Sequence, residues 1–273
     1  MFAAFPSPPA NGISLGPIDL RFYGLMIAIG ILVAIRILGS RLESRGAGSA
    51  DDASAIGLWG AVGGLIGARL YHVATEWDRF ADDLGAIPAI WKGGLGIPGG
   101  IALGVVFGVW TARRRGVGVS LALWAAAPAI PVAQAIGRWG NWFNQELFGR
   151  ETDLWWGLSI DDAHLPAGYV SGTLFHPTFL YESLWNLAVA WVVVRVGRSA
   201  VTTGRLMWVY VAGYGVGRFW VEGLRIDPAD SLAGLRWNQW VALAWVVAGV
   251  VGVFAGRRSA SPASSEHSAS TEA

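Results

Sequence analysis

A glycine-rich segment from Gly137 to Arg150 gathers polar side chains that could do chemistry in an otherwise apolar chain. Arg138, Asn141 and Asn144 recur at intervals of three residues, so in a helix they lie close to one face. Guanidinium groups bind phosphate oxygens through paired hydrogen bonds, and amide side chains can add further donors. The spacing therefore favours a binding site for a phosphate group.

A second polar segment runs from Tyr214 to Arg225. Arg218 and Glu222 are four residues apart, and Glu222 and Arg225 are three apart, so all three can share one helical face. This pattern is compatible with a second part of the same phosphate site. It is equally compatible with a structural ladder of ion pairs that neutralises itself, and the residues alone leave both interpretations open for Glu222 and Arg225.

The composition indicates that these charges lie in a membrane protein. Of the 273 residues, 53% are hydrophobic and 14% are charged, whereas a soluble domain has about 25% charged residues. The mean hydropathy is +0.45. The net charge of +1 provides no basic surplus for binding a nucleic acid. The absence of cysteine excludes thiolate metal sites and a cysteine nucleophile.

Apolar stretches of about 20 residues are long enough to cross a bilayer as helices. The sequence predicts an all-α, polytopic membrane protein with seven transmembrane helices. They are expected at Ile18–Leu38, Ala53–Ala74, Gly93–Ala112, Val117–Gly137, Pro177–Val196, Arg205–Leu224 and Trp237–Ala255.

Ten arginines gather beyond alternate ends of these stretches, and the positive-inside rule makes that side cytoplasmic. The N-terminus is then outside and the C-terminus cytoplasmic, as seven spans require. We expect residues 1–256 to form one transmembrane catalytic domain with an outer-face loop at about 140–176, and residues 257–273 to form a disordered cytoplasmic tail. The ten arginines are Arg41, Arg45, Arg113, Arg114, Arg115, Arg195, Arg198, Arg205, Arg257 and Arg258.

The topology does not explain nine further basic residues, which lie within spans or on the outer side. An arginine at the bilayer centre costs roughly 2.5–3.5 kcal/mol, so it usually lines a polar cavity or pairs with a carboxylate. Glu182, inside the fifth stretch, is a candidate partner. We expect a cationic cavity, open to the outer leaflet, that binds a phospholipid headgroup. The nine residues are Arg21, Arg69, Arg79, Lys92, Arg138, Arg150, Arg218, Arg225 and Arg236.

Two other candidates have simpler explanations. Tyr23, at the outer end of the first stretch, is typical of a tyrosine at the membrane interface. His176 precedes Pro177, and because proline suits the first turn of a helix, this histidine could serve only as a helix-entry residue.

The segment from Gly137 to Gly149 resembles the signature of the bacterial phosphatidylglycerol–prolipoprotein diacylglyceryl transferases. That signature is Gly-Arg-x-Gly-Asn-x-x-Asn-x-Glu-x-x-Gly, and every fixed position is met. Three further segments, at 21–26, 176–182 and 217–225, also resemble the family. The resemblance extends over nearly all of the predicted spans but not over the tail.

The resemblance implies a multi-pass enzyme integral to the bacterial cytoplasmic (inner) membrane. Such an enzyme transfers the diacylglyceryl group of phosphatidylglycerol to the lipobox cysteine of a prolipoprotein signal peptide and releases glycerol 1-phosphate. This is the first step of lipoprotein maturation. The resemblance implies neither a metal nor an organic cofactor, and no nucleic-acid partner.

The resemblance also implies roles for individual residues. Arg138 and Arg218 would bind the lipid phosphate and stabilise charge on the leaving phosphate. The residues with implied catalytic roles are Arg138, Arg218, Tyr23 and Glu146. Those with implied substrate-binding roles are Arg138, Asn141, Asn144, Arg218, Glu222, Arg225 and His176.

One segment departs from the family pattern. Many members have Gly-Gly-x-x-Phe-His-Gly-Gly, with the histidine proposed as a base or substrate contact, whereas residues 93–100 here place Pro98 at that position. Proline cannot accept a proton from the substrate thiol. His72, His176 and Glu146 are candidate replacements, and a cationic site would itself favour the thiolate.

Two other function classes fit parts of the sequence. A membrane transporter or channel for an anionic lipid or metabolite would also place arginines within the membrane, but transport folds often have repeated halves and no paired halves are evident here. An intramembrane serine protease requires an activated nucleophile. Neither Ser171 nor Ser183 has such a setting.

Overall fold

The computed structural model describes residues 4–16, 18–198 and 204–258. Most of this part of the chain is helical. Its α-helices are α1 (Phe22–Glu43), α2 (Ala50–Thr75), α3 (Ile97–Arg114), α4 (Val119–Asn144), α5 (Thr178–Arg198), α6 (Arg205–Glu222) and α7 (Trp237–Arg258). Of the tail predicted to be disordered at 257–273, the first two residues belong to the end of α7, and residues 259–273 lie outside the described ranges.

Three short antiparallel hairpins are added to the helices, so the described chain is mainly rather than wholly α-helical. The hairpins pair β1 (Gly12–Leu15) with β2 (Ile18–Arg21), β3 (Leu158–Ser159) with β4 (Leu174–Phe175), and β5 (Ser231–Leu232) with β6 (Leu235–Arg236). The first hairpin precedes α1, the second lies in the connection between α4 and α5, and the third precedes α7.

Five helices are long and apolar enough to cross a membrane, which makes the chain a multi-pass membrane protein. They are α1, α2, α4, α5 over Thr178–Gly197, and α7 over Trp237–Ala255. The helix α6 has 18 residues and includes Arg205, Arg218 and Glu222, and these charges lower its hydropathy. α3 also has only 18 residues and ends with two arginines.

Several predicted boundaries were wrong, by up to seven residues. α4 continues to Asn144 instead of stopping at Gly137, so the first residues assigned to the outer loop belong to a helix. It ends where Gln145 adopts a left-handed conformation (φ 51°), a common way to terminate a helix. The first stretch begins as strand β2, and the third becomes helical only at Ile97, because residues 93 and 94 have positive φ angles.

Glycines bring two of the helices into close contact. A Cβ at Gly67 in α2 would lie 2.2 Å from the carbonyl oxygen of Gly99 in α3, and a Cβ at Gly63 would lie 2.5 Å from the Phe107 ring. Small residues permit such close packing in membranes, where backbone approach takes the place of a hydrophobic driving force.

α4 occupies a central position, packing against α1, α5 and α6. One apolar cluster lies where α1 ends and α6 begins and includes Leu42, Val193 and Leu206, all almost fully buried. A second cluster, with Phe148, Phe175 and Phe179 among its members, anchors the connection between α4 and α5. That second cluster includes the C-terminal end of the signature segment, since Phe148 belongs to both.

Candidate active site

Three helices each contribute one charged residue to a buried ion-pair cluster. Glu182 of α5 is only 7% exposed, and its carboxylate contacts arginines on both sides. Oε2 pairs with Nε of Arg138 from α4, and Oε1 lies 3.2 Å from Nη1 of Arg218 from α6. The structure thus brings together the two arginines singled out in the sequence, and Glu182 is the carboxylate that joins them.

The cluster continues through Glu222, the fully buried last residue of α6. Its Oε2 lies 2.6 Å from Nη2 of Arg218 and 3.7 Å from Nη1 of Arg225, and its Oε1 lies 2.8 Å from Nε of Arg236. Glu222 therefore contacts both arginines expected on its helical face. Arg225 itself lies beyond the end of α6.

Arg236 and Asp227 are members of the cluster that sequence reasoning missed. Asp227 binds Arg225 at 2.6 Å and Arg236 at 3.0 Å. Burial opposes ionisation of Asp227, but its contacts with Arg225 hold the pKa of this carboxyl below its ordinary value. The sequence did indicate that Arg236 needed a partner, because it is one of the nine basic residues whose positions the predicted topology does not explain. Asp227 gave no comparable signal.

The amides of the signature segment connect this cluster to Glu146. Oδ1 of Asn141 accepts a hydrogen bond of 3.5 Å from Arg138, and its Nδ2 donates one of 2.8 Å to Glu146. Asn144 donates a further bond of 3.3 Å to the same carboxylate oxygen. The four signature residues therefore form one connected polar group at the end of α4.

Tyr23 reaches this group from the first turn of α1. It packs against Gly140, where an added Cβ would lie 2.6 Å from Cδ2 of the tyrosine ring. Tyr23 also lies close enough to Arg138 and Glu146 to interact with their charges. The tyrosine predicted from the sequence thus lies at the signature segment.

His176 has a different setting from the other predicted residues. Its Nδ1 lies 3.1 Å from the hydroxyl of Tyr181, and its backbone exchanges hydrogen bonds with Gly149 and Arg150. Burial, followed by the charge of Arg150, lowers the pKa of His176. Within the described chain, no hydrogen bond or ion pair joins it to Arg138 or Arg218, so its visible contacts hold the end of the signature segment in place.

Arg69 of α2 organises the loop that leads to Pro98. Its guanidinium donates to four backbone carbonyls, at 2.7 to 3.0 Å. The acceptors belong to Ala86, Ile87, Gly93 and Gly94. His72 packs against the same loop, since a Cβ at Gly94 would lie 2.3 Å from its Nε2. Arg69 thus satisfies its donors within the protein and holds the loop before α3.

Together these features define a class of protein: a multi-pass helical membrane protein with a buried arginine–carboxylate cluster at one end of its helices. Within the described residues, no group of three or more histidines and carboxylates is placed to hold a metal ion. The chain belongs to the prolipoprotein diacylglyceryl transferase family, whose model matches residues 11–255.

Curated relatives from several bacteria support this membership. A phosphatidylglycerol–prolipoprotein diacylglyceryl transferase of Frankia alni is 48% identical over 268 residues, which cover 96% of this chain and 70% of the relative. Transferase 2 of Streptomyces coelicolor is 47% identical over 88% of this chain and 77% of its own length. The enzyme of Rhodococcus jostii is 44% identical over 93% of this chain and 75% of its own length. The family resemblance of the sequence is confirmed.

Proposed function

We propose that this protein transfers the diacylglyceryl group of phosphatidylglycerol to the thiol of a prolipoprotein lipobox cysteine and releases glycerol 1-phosphate. The observation that carries the proposal is the convergence of Arg138 and Arg218, from separate helices, on the single carboxylate of Glu182. Two guanidinium groups that converge on one carboxylate can likewise converge on the oxygens of a phosphate. The names of the relatives supply the substrate class.

The reaction displaces a phosphate ester from a lipid carbon. The sulfur of the cysteine attacks the carbon of the diacylglyceryl group that is bonded to the phosphate oxygen. A C–S bond forms, and the C–O bond breaks with its electron pair passing to the phosphate of the departing glycerol 1-phosphate. The guanidinium groups of Arg138 and Arg218, which bind the phosphate in this proposal, favour the thiolate over the thiol locally; the ordinary pKa of the thiol is about 8.5. Hydrogen bonds from the same two groups stabilise the charge that develops on the departing phosphate.

Arg138 and Arg218 therefore carry most of the catalysis in this proposal. Asn141 and Asn144 orient Glu146, which is our candidate acceptor for the thiol proton, and Tyr23 lines the same end of the site. Glu222 and Arg225 shape the site from α6. His176 fixes the end of the signature segment through its backbone hydrogen bonds. It is also a candidate for contact with the substrate.

The membrane arrangement is part of the proposal. We infer that α3 and α6 cross the bilayer together with the five more apolar helices, which gives seven spans, an outer N-terminus and a cytoplasmic C-terminus. The arginines that follow α1 and α3 support this orientation, since basic residues favour the cytoplasmic side. Residues 1–256 then form the catalytic domain in the inner membrane, with the segment between α4 and α5 on the outer face.

The proposal is tested with purified protein, phosphatidylglycerol and a synthetic lipobox peptide. Mass spectrometry is expected to detect a diacylglyceryl adduct on the peptide cysteine, and a matched peptide with serine in place of cysteine serves as the control. Movement of lipid across vesicle membranes without any covalent adduct would overturn the proposal in favour of a transporter.

A further inference from the structure

The arginine–carboxylate cluster has almost no excess charge. Continuous ion pairs join four guanidinium groups to three carboxylates, which leaves one positive charge on the cluster. The members are Arg138, Arg218, Arg225, Arg236, Glu182, Glu222 and Asp227. The site around Arg138 and Arg218 therefore does not have enough positive charge to bind every kind of phosphate equally well.

The other titratable groups that interact with Arg138 in the described chain add no positive charge. Glu146 lies one amide away from Arg138, through Asn141, and including its carboxylate brings the balance to zero. Among the described residues, Tyr23, Tyr210 and Tyr214 are further titratable side chains that interact with Arg138, and a tyrosine hydroxyl is neutral near pH 7. By either count the cluster can balance no more than one added negative charge.

Phosphate esters differ in the charge that they bring to such a site. A phosphodiester carries one negative charge, whereas a phosphomonoester carries between 1.5 and 2 at pH 7, because its second pKa is about 6. An uncompensated charge is expensive in a buried site, where solvent screens it poorly. Glu182 is the carboxylate that contacts both Arg138 and Arg218, and so it lies closest to any phosphate bound between them.

We propose that Glu182 is a specificity-determining residue that makes the site select singly charged phosphodiester lipids against doubly charged phosphomonoester lipids. This inference rests on the proposed function, which assigns the lipid phosphate to Arg138 and Arg218. It also favours product release, because the product that leaves this site is itself a phosphomonoester. Once the C–O bond has broken, repulsion from Glu182 weakens the binding of glycerol 1-phosphate and favours its dissociation.

The test compares the binding of two lipids with identical acyl chains, phosphatidylglycerol and phosphatidic acid, to detergent-purified protein at pH 8. Tryptophan fluorescence or native mass spectrometry reports the two dissociation constants in the absence of any peptide. We expect the wild-type protein to bind phosphatidylglycerol at least about tenfold more tightly, because juxtaposed like charges weaken binding by this much or more. Glu182→Gln should remove most of this preference.

Asp227→Asn is the matched control. It removes one negative charge from the same cluster, but Asp227 contacts only Arg225 and Arg236 within it. This variant should keep the wild-type preference. Equal loss of preference in both variants would overturn the specific role of Glu182.

A second measurement uses only the wild-type protein, so it does not depend on the folding of a variant. At pH 5 phosphatidic acid loses its second negative charge, while phosphatidylglycerol stays a monoanion and acts as an internal reference for protonation of the protein. The ratio of the two dissociation constants should fall by several-fold between pH 8 and pH 5. A ratio that is unchanged between pH 8 and pH 5, or unchanged in Glu182→Gln, would overturn the inference.

The design separates this inference from the proposed function. If Arg138→Ala leaves the binding of both lipids unchanged, the phosphate does not lie at this cluster and the assignment of the site fails. If Arg138→Ala weakens both lipids but Glu182→Gln leaves their ratio unaltered, only the inference about Glu182 fails.

Discussion

The ring of Tyr23 in α1 lies directly against the backbone of Gly140 in α4, where a Cβ would come within 2.6 Å of Cδ2. The neighbouring backbone of Tyr23 is also close, with its Cα 3.2 Å from the same point. Glycine at this signature position is therefore required by close packing of two helices. It fixes how near Tyr23 can come to Arg138 and its partners.

Gly140→Ala should displace Tyr23 and reduce diacylglyceryl transfer by at least about tenfold, because small displacements in a site can cost up to about 100-fold in rate. Gly137→Ala is the control in the same helix, since among the described residues a Cβ at that position meets no atom within 4 Å beyond the adjoining residues and backbone of its own helix. Initial rates of peptide modification give the comparison. Similar rates for the two variants would show that the contact does not matter.

Arg218→Ala should lower transfer by at least about 100-fold, the loss expected when a donor to developing charge is removed. It also leaves Glu182 and Glu222 short of a partner, so Arg218→Lys is measured beside it. Lysine retains the charge but lacks the planar fork that reaches two carboxylates, and we expect it to recover only part of the activity. Membrane insertion is checked by the yield of folded protein. Wild-type rates in a folded Arg218→Ala protein would exclude the proposed role.

Arg69→Gln should destabilise the loop before α3, because four backbone carbonyls lose their shared donor. We expect a loss of about 2–4 kcal/mol, since bonds to charged groups contribute about 1.5–3 kcal/mol each and water can replace some of them. A lowered Tm and faster proteolysis between residues 76 and 96 would report the effect. Arg79→Gln is the control, because Arg79 is an exposed residue that pairs with Glu76 and such surface pairs contribute little.

The lowered pKa of His176 predicts a pH dependence of stability. A histidine that the fold keeps neutral takes up its proton more readily in the unfolded chain, so the free energy of unfolding falls as the pH falls below about 6.5. The drop in Tm from pH 8 to pH 5 should be larger for the wild-type protein than for His176→Gln. Equal drops would mean that His176 is not held in its neutral form.

Pro98→His tests whether a dedicated base is missing. The proposed mechanism relies on the charge of Arg138 and Arg218 to favour the thiolate, so we expect the rate at pH 7 to change by less than about tenfold. General-base catalysis, in contrast, typically contributes about 100-fold or more. A gain of that larger size would show that proton removal limits the reaction. The pH–rate profile of the variant would then acquire a histidine-like inflection.

Much of this protein can be inferred from local sequence. Hydropathy is a property of consecutive residues, so the helices were found within seven residues of their bounds. The signature from Gly137 to Gly149, with three further segments, pointed to the family. The exceptions were helix ends. Gln145 ends α4 through a left-handed backbone conformation that no hydropathy pattern predicts.

The partners of the charged residues could only come from the tertiary structure. Arg138, Glu182 and Arg218 are separated by 44 and 36 residues along the chain, and they meet because α4, α5 and α6 pack side by side. Arg236 reaches Glu222 for the same reason, after the β5–β6 hairpin reverses the chain. The sequence determined that arginines and carboxylates interrupt a predominantly apolar chain, and helix packing decided which of them neutralise one another.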